Sequence, residues 1–266
     1  MHARHWAAER QVGRANFVKV AGIGRDQLGV NRATSGHRKT PTRAAGECNL
    51  ARFAADAGCY VTGFLIAIEG VDGAGKSTLQ RALAEALRAR GYCVLTSREP
   101  TAGPHGTALR QAALSERLAP ERELELLLLD RRAHLQGLLL PALGRGEVVI
   151  LDRYYFSTVA YQGAAGLDPD MLLAVNREFV REPELLLILD LPVSESLARI
   201  AQRGAADAFE RAETLVRVRE LFLSFANWRN AHVLDASLAP EQLLQAALAR
   251  CEPALRAAEG LNVGKS

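Results

Sequence analysis

The sequence predicts an α/β protein of three layers: a five-stranded parallel sheet with helices on both faces. Three observations lead there. Strand-like and helix-like stretches alternate five times after residue 60, as in sheets whose crossovers are helices. The main strand candidates are continuous apolar runs, the form taken when both faces of a sheet are covered. A glycine-rich turn, Gly70–Ser77, joins the first strand to the first helix.

The elements follow in order. The apolar run from Phe64 to Glu69 suits a buried strand. Leu79, Leu83 and Leu87 recur at helical spacing up to Ala89, and Gly91 ends that helix. Tyr92–Ser97 is a second short strand, followed by Arg98-Glu-Pro-Thr101, a Gly/Pro-rich loop to Gly106 and a helix over Thr107–Leu118. Ala119-Pro120 opens a long helix reaching about Leu143, with proline in the first turn and acids at its positive end. Its leucines surround most of the circumference, which predicts burial or a subunit contact.

Glu147–Asp152 and Leu185–Asp190 are apolar runs that each end in an acid, as central parallel strands do. Between them lie Tyr154–Gln162 and a helix near Pro169–Val180. Ser194–Gln202 and Glu210–Trp228 are helical, with a loop over Arg203–Phe209. Ala231–Asp235 is the fifth strand, and Pro240–Ala258 closes the domain as an amphipathic helix.

Composition bounds the rest. With 266 residues, 48% hydrophobic and 24% charged, the chain can bury one sizeable core. No apolar run reaches the roughly 18 residues of a membrane span, so no membrane is expected as a partner. Cys48, Cys59, Cys93 and Cys251 form no close pair and read as free thiols of a cytoplasmic protein, with neither zinc nor disulfides. The basic charge is concentrated in the head. Residues 1–60 hold ten Lys or Arg against four Asp or Glu, a net +6, which leaves −3 for the remainder of a chain with formal charge +3. That argues against nucleic acid as a partner of the body of the chain.

Residues 1–60 show no sustained period and read as a disordered basic extension outside the functional chain. A targeting segment and a nucleic-acid arm are the competing readings. The predicted division is therefore 1–60 extension, 61–258 domain and 259–266 tail. Gly260-Leu-Asn-Val-Gly-Lys-Ser266 imitates a phosphate loop but has three residues between its glycines where four are needed.

The stretch Gly70-Val71-Asp72-Gly73-Ala74-Gly75-Lys76-Ser77 satisfies G-x-x-x-x-G-K-[ST] between a strand and a helix. Its glycines let consecutive N–H groups curl around an anion, and the next helix aims its positive end there. Gly70 to Thr78 should therefore hold a nucleoside triphosphate. Lys76 would reach the β- and γ-phosphates, and the Ser77 hydroxyl would ligate Mg²⁺. A guanidinium binds phosphate through a planar fork, so Arg131 and Arg153 are candidates for a second, acceptor phosphate.

Three further stretches narrow the function: Ser97-Arg-Glu-Pro-Thr101, Leu127-Leu-Leu-Asp-Arg-Arg-Ala-His134 and Asp152-Arg-Tyr-Tyr-Phe-Ser-Thr-Val-Ala-Tyr-Gln-Gly163. With the loop, they resemble the thymidylate (dTMP) kinase family in type, order and approximate spacing from about Phe64 to Leu248. The resemblance implies a P-loop kinase fold with a small lid at about 203–209, and transfer of a phosphoryl group from ATP, with Mg²⁺, to dTMP. It also implies a cytoplasmic homodimer.

Residue by residue, the resemblance places Arg98, Arg131 and Arg153 on dTMP, and Asp72 near the acceptor sugar and phosphates. Asp152 falls near the metal. Tyr161 crowds the sugar 2′ position, and Thr158 and Gln162 lie beside the thymine. The family's closing cation sits in the phosphate loop or the lid. Gly73 occupies the loop position here, so lid Arg203 takes the role, with Arg199 and Arg211 behind it. Lys76, Asp72, Arg153 and Arg203 form the implied catalytic set. Leu127 departs from the family, which commonly has an aromatic there to stack on thymine; a stacking term of about 1 kcal/mol is then missing.

Two other functions compete. A deoxynucleoside or other nucleotide kinase is the first; a nucleoside acceptor would need a general base near its 5′-hydroxyl, with Glu69 or Glu99 as candidates. A nucleotide-binding module with an impaired acceptor site is the non-enzymatic alternative, favoured only by Leu127. No Asn-Lys-x-Asp stretch occurs, which disfavours a GTPase.

Overall fold

The computed structural model describes residues 63–115, 118–202 and 209–263. Five parallel strands lie in the order β2-β3-β1-β4-β5. They are β1 (Phe64–Gly70), β2 (Val94–Arg98), β3 (Val148–Asp152), β4 (Leu185–Asp190) and β5 (Ala231–Asp235). Helices α1 (Lys76–Ala89) and α9 (Pro240–Val263) pack together over one face of the sheet. On the other lie α5 (Tyr155–Ala164) and α8 (Phe209–Ser224). The predicted three-layer parallel architecture is therefore the observed one.

The first strand is central because its sequence is apolar on both sides. Every residue of β1 is buried, as are those of β3. Each large side chain so buried contributes roughly 2 kcal/mol of transfer free energy. Register aligns the chemistry at the C-terminal edge: Ile68 opposes Asp152, Gly70 opposes Leu189 and Arg98 opposes Asp152. The phosphate loop thus emerges between the ends of β3 and β4, where ligands of open parallel sheets bind.

Several boundaries differ from expectation. The edge strand β2 starts at Val94 rather than Tyr92, since it is only partly covered and lacks the two-sided apolar signal. Helix α2 (Pro104–Leu114) begins at its proline, which serves as the first helical residue. The long leucine-rich helix is α3 (Pro120–His134), continued by a π-helical turn at Leu135–Leu139 and α4 (Leu140–Gly144). Leu124, Leu128, Leu135 and Leu139 are buried, while Leu138 and Leu140 are exposed. The remaining helices are α6 (Pro169–Arg177) and α7 (Val193–Ala201), and α9 runs past the expected end at Ala258.

The free-thiol reading holds at Cys251, which is buried. It is corrected at Cys93, which is disulfide-bonded. Cys48, Cys59, the extension over 1–60, Arg203 and the expected lid up to residue 208 lie outside the described residues.

Candidate active site

The phosphate loop takes its shape from backbone conformations that a side chain would oppose. Gly70 has φ 140, and a Cβ there would sit 2.4 Å from the Leu189 carbonyl oxygen. Gly73 has φ 81 and faces the Ser196 carbonyl at 3.1 Å from where a Cβ would be, so a basic side chain could not stand there without strain. Helix α7 braces the loop from outside: the Ser196 hydroxyl donates to the Asp72 carbonyl at 2.6 Å, and Arg199 donates to the Gly73 carbonyl at 3.3 Å. Arg199 also donates to the Ala236 carbonyl at 3.1 Å. Its charge is thereby tied behind the loop rather than free over it.

Within the loop, Lys76 is buried and donates to the carbonyls of Gly70 at 2.9 Å and Val71 at 2.8 Å. Burial, and then Arg153, push its pKa well below the ordinary lysine range against the pull of Asp72, Asp152 and Glu69. Val71 and Ala74 are packed inward, whereas Ser77 and Thr78 are exposed at the start of α1. The Ser77 hydroxyl donates to Asp152 Oδ2, and Asp152 Oδ1 is buried with no hydrogen-bond partner. A hydroxyl beside a carboxylate with an unused oxygen is a hard oxygen donor set, which suits Mg²⁺. Among the described residues, no cluster of three or more His, Cys, Asp or Glu forms a protein-only metal cage.

A cleft opens beside the loop, lined by Glu99, Pro100, Glu123, Leu127, Arg131, Arg153, Tyr154, Ser157, Thr158 and Tyr161. It is built from the turns after β2 and β3, one face of α3 and the first turns of α5. Arg153 is its bridge to the loop. Its backbone stands at φ 70, unusual for a residue with a side chain, and its amide donates to the Ile68 carbonyl at 3.0 Å. The guanidinium bonds Asp72, Ser157 at 3.1 Å and the Tyr161 hydroxyl at 3.3 Å, and lies 4.9 Å from the Tyr161 ring centroid. Burial alone would raise the Asp72 pKa, but Arg153 and then Lys76 outweigh it and hold the carboxyl below its ordinary value. The Asp72 side chain nonetheless remains 54% exposed.

Arg131 sits deeper, at 1% exposure. Its Nε donates to Glu99 Oε2 at 2.8 Å, Nη2 to Thr158 at 2.9 Å and Nη1 to Asn176 Oδ1. Three of five N–H donors are thereby used, and Glu99 compensates the charge. The two arginines read as candidates for an acceptor phosphate thus sit differently. Arg153 lies beside the loop, while Arg131 is a neutralised, rigid donor suited to a polar edge.

Glu99 has both oxygens engaged, because its Oε1 bonds His134 Nδ1 at 3.0 Å, and His134 Nε2 reaches Ser97 at 2.8 Å. Neighbouring Asp130 is also buried and organises the loop before α2. It accepts from the Thr101 amide and hydroxyl at 2.7 Å each, and from the Gly106 amide at 3.1 Å.

Of the residues read from sequence, the cleft and loop bring together Asp72, Lys76, Leu127, Arg131, Arg153, Thr158 and Tyr161. Gln162 is buried and does not line the cleft, and its Oε1 has no hydrogen-bond partner. Arg98 ends β2 with an exposed side chain and does not line the cleft. Sequence reasoning missed Asn176, Ser157, Tyr154 and Glu123. Asn176 follows Leu172 by one turn on the buried face of α6, and a polar residue on an apolar stripe was the only available signal.

Comparison with known proteins agrees over nearly the same span. The family described as Thymidylate kinase matches residues 68–247. A thymidylate kinase of Xanthomonas campestris pv. campestris is 52% identical over 203 residues, covering 76% of this chain and 88% of that protein. One from Xylella fastidiosa is 49% identical over 195 residues, covering 73% and 89%.

Proposed function

The chain belongs to the thymidylate kinase family, and from that premise we propose that its cleft and phosphate loop transfer the terminal phosphoryl group of ATP to dTMP, giving dTDP. The observation that carries this reading is Arg153, which faces the acceptor cleft while paired to Asp72 of the phosphate loop. One cation thus belongs to both substrates.

The chemistry asks little of the protein beyond placement. A monophosphate oxygen is already an anionic nucleophile, so in-line transfer needs alignment and charge neutralisation rather than a general base. Neither base candidate is free. Glu99 has both oxygens engaged, and Glu69 lies outside the cleft lining. That favours dTMP over a nucleoside acceptor.

In this reading Gly70–Thr78 cradle the triphosphate, and Lys76 leaves its carbonyl partners to reach the β- and γ-phosphates. Ser77 and Asp152 would hold Mg²⁺, which when bound offsets charge on the donor phosphates. Asp72, half exposed, can share Arg153 with the arriving acceptor phosphate. Leu127 supplies the apolar wall for the base, and Tyr161 stands where a 2′-hydroxyl would crowd. Arg131, held by Thr158 and Asn176, is set to donate to a base carbonyl, and Gln162 remains our choice beside the thymine ring. Arg98 stays an exposed cation at the end of β2, one residue before cleft-lining Glu99, and Arg203 remains our choice for the closing charge.

We place the enzyme in the cytoplasm, where both nucleotides are available; no described helix is long and apolar enough to cross a membrane. The exposed Leu138 and Leu140 support a homodimer contact along the α3–α4 run. Residues 61–258 form the catalytic domain in this reading, with 1–60 as an extension and 259–266 as a tail. Phosphorus NMR of the chain with ATP, MgCl₂ and dTMP tests the reaction. ADP and dTDP should appear in equal amounts; ATP loss without dTDP would contradict it.

A further inference from the structure

Glu69, the penultimate residue of β1, is fully buried, yet it neither lines the cleft nor bonds the phosphate loop. Its carboxylate reaches across to the start of α5. Oε1 accepts from the Tyr154 amide at 2.7 Å and the Ser157 amide at 3.1 Å, while Oε2 accepts from the Ser157 hydroxyl at 2.6 Å. Helix α5 has no side-chain cap from its own N-cap residue, Tyr154. A residue from the central strand therefore supplies the cap from outside the helix.

The direction of the last bond carries further. A serine hydroxyl has one proton and two lone pairs. Since that proton goes to Glu69, the oxygen presents lone pairs to Arg153 Nη1, which donates to it at 3.1 Å. Arg153 in turn bonds Asp72, so a continuous path runs from β1 through α5 back to the phosphate loop that β1 leads into. Arg153 needs such support, because its φ of 70 is one that residues with side chains rarely hold.

We infer that Glu69 is a positioning residue for the acceptor arginine: by accepting the Ser157 proton it sets the hydroxyl's polarity and so fixes Arg153 over the cleft. The inference rests on the assignment of Arg153 to the acceptor. Around Glu69 the other charged groups are Arg153 and Lys76, and burial opposes its ionised form while Ser157 and Arg153 favour it. The carboxylate is thus held in a place that disfavours charge, by contacts that lead to Arg153.

Glu69→Gln separates polarity from shape. Its carbonyl oxygen still accepts from the two amides, so the cap survives, but its NH₂ donates to Ser157 and turns the hydroxyl proton toward the guanidinium. The inference predicts that Glu69→Gln raises the KM for dTMP about tenfold, the size of one charge-assisted hydrogen bond, with the KM for ATP within about twofold. Ser157→Ala should do the same, and the double variant should be no worse than Ser157→Ala alone. A merely structural role would instead move both KM values together, lower the melting temperature and add to Ser157→Ala; that outcome overturns the inference. So does an unchanged dTMP KM in Glu69→Gln. Arg153→Ala is the reference: if it too leaves the dTMP KM unchanged, the acceptor assignment itself fails.

Discussion

Asp72 and Arg153 form an ion pair that joins the phosphate loop to the turn after β3. The two residues are far apart in sequence, and their pairing links the loop to the lining of the cleft. In the proposed reaction, this pair is how the loop that holds ATP would also orient the acceptor. It also explains why Arg153 can tolerate an unfavourable backbone conformation, since its side chain is held at Asp72, Ser157 and Tyr161.

Ser77 and Asp152 give the first prediction. If they hold Mg²⁺, EDTA should stop turnover and added Mg²⁺ should restore it. Asp152→Asn, which removes the charge with little change in shape, should raise the Mg²⁺ needed for half-maximal rate by about tenfold or more. A Mg²⁺ titration of the variant that overlays the wild type would remove Asp152 from the metal site.

Asp130 gives the second. It satisfies the Thr101 and Gly106 amides and is itself buried. Asp130→Ala leaves those donors without their acceptor and should cost about 3 kcal/mol of stability. Urea unfolding reads this directly. A loss below about 1 kcal/mol would mean that the loop before α2 finds other partners.

Most of the sheet was legible in the sequence, because strands buried on both faces are written as unbroken apolar runs. Leu185–Asp190 and Ala231–Asp235 were read with the bounds observed. The edge strand β2 and the start of α2 were less clear, since partial burial and a proline start blur the periodicity. The π-helical turn at Leu135–Leu139 left no trace among so many leucines. At the site, the loop was legible because its glycines and lysine lie side by side. The Arg131 network was not. Its members Glu99, Thr158 and Asn176 come from β2's exit, α5 and α6, and no local pattern announces a contact over such separations.

Glu69 gives the third prediction, on stability against pH. Burial raises its pKa from 4.5 to about 7. An acid with a raised folded pKa keeps its proton in the native state after the unfolded chain has lost it, so stability falls as pH rises across that interval. Glu69→Gln removes this contribution. Its stability relative to wild type should therefore improve between about pH 5 and about pH 8, measured by urea unfolding. A difference that does not change with pH would show that Glu69 does not titrate there.

The central claim is that one site binds ATP and a nucleoside monophosphate together. Steady-state ADP release with ATP and Mg²⁺, across dTMP, dUMP, dCMP, dGMP, UMP and thymidine, tests it most directly. Turnover should be fastest with dTMP, slower with dUMP, negligible with thymidine, and reduced at least about a hundredfold by Lys76→Ala. No turnover with dTMP, or faster turnover with thymidine, would contradict the account.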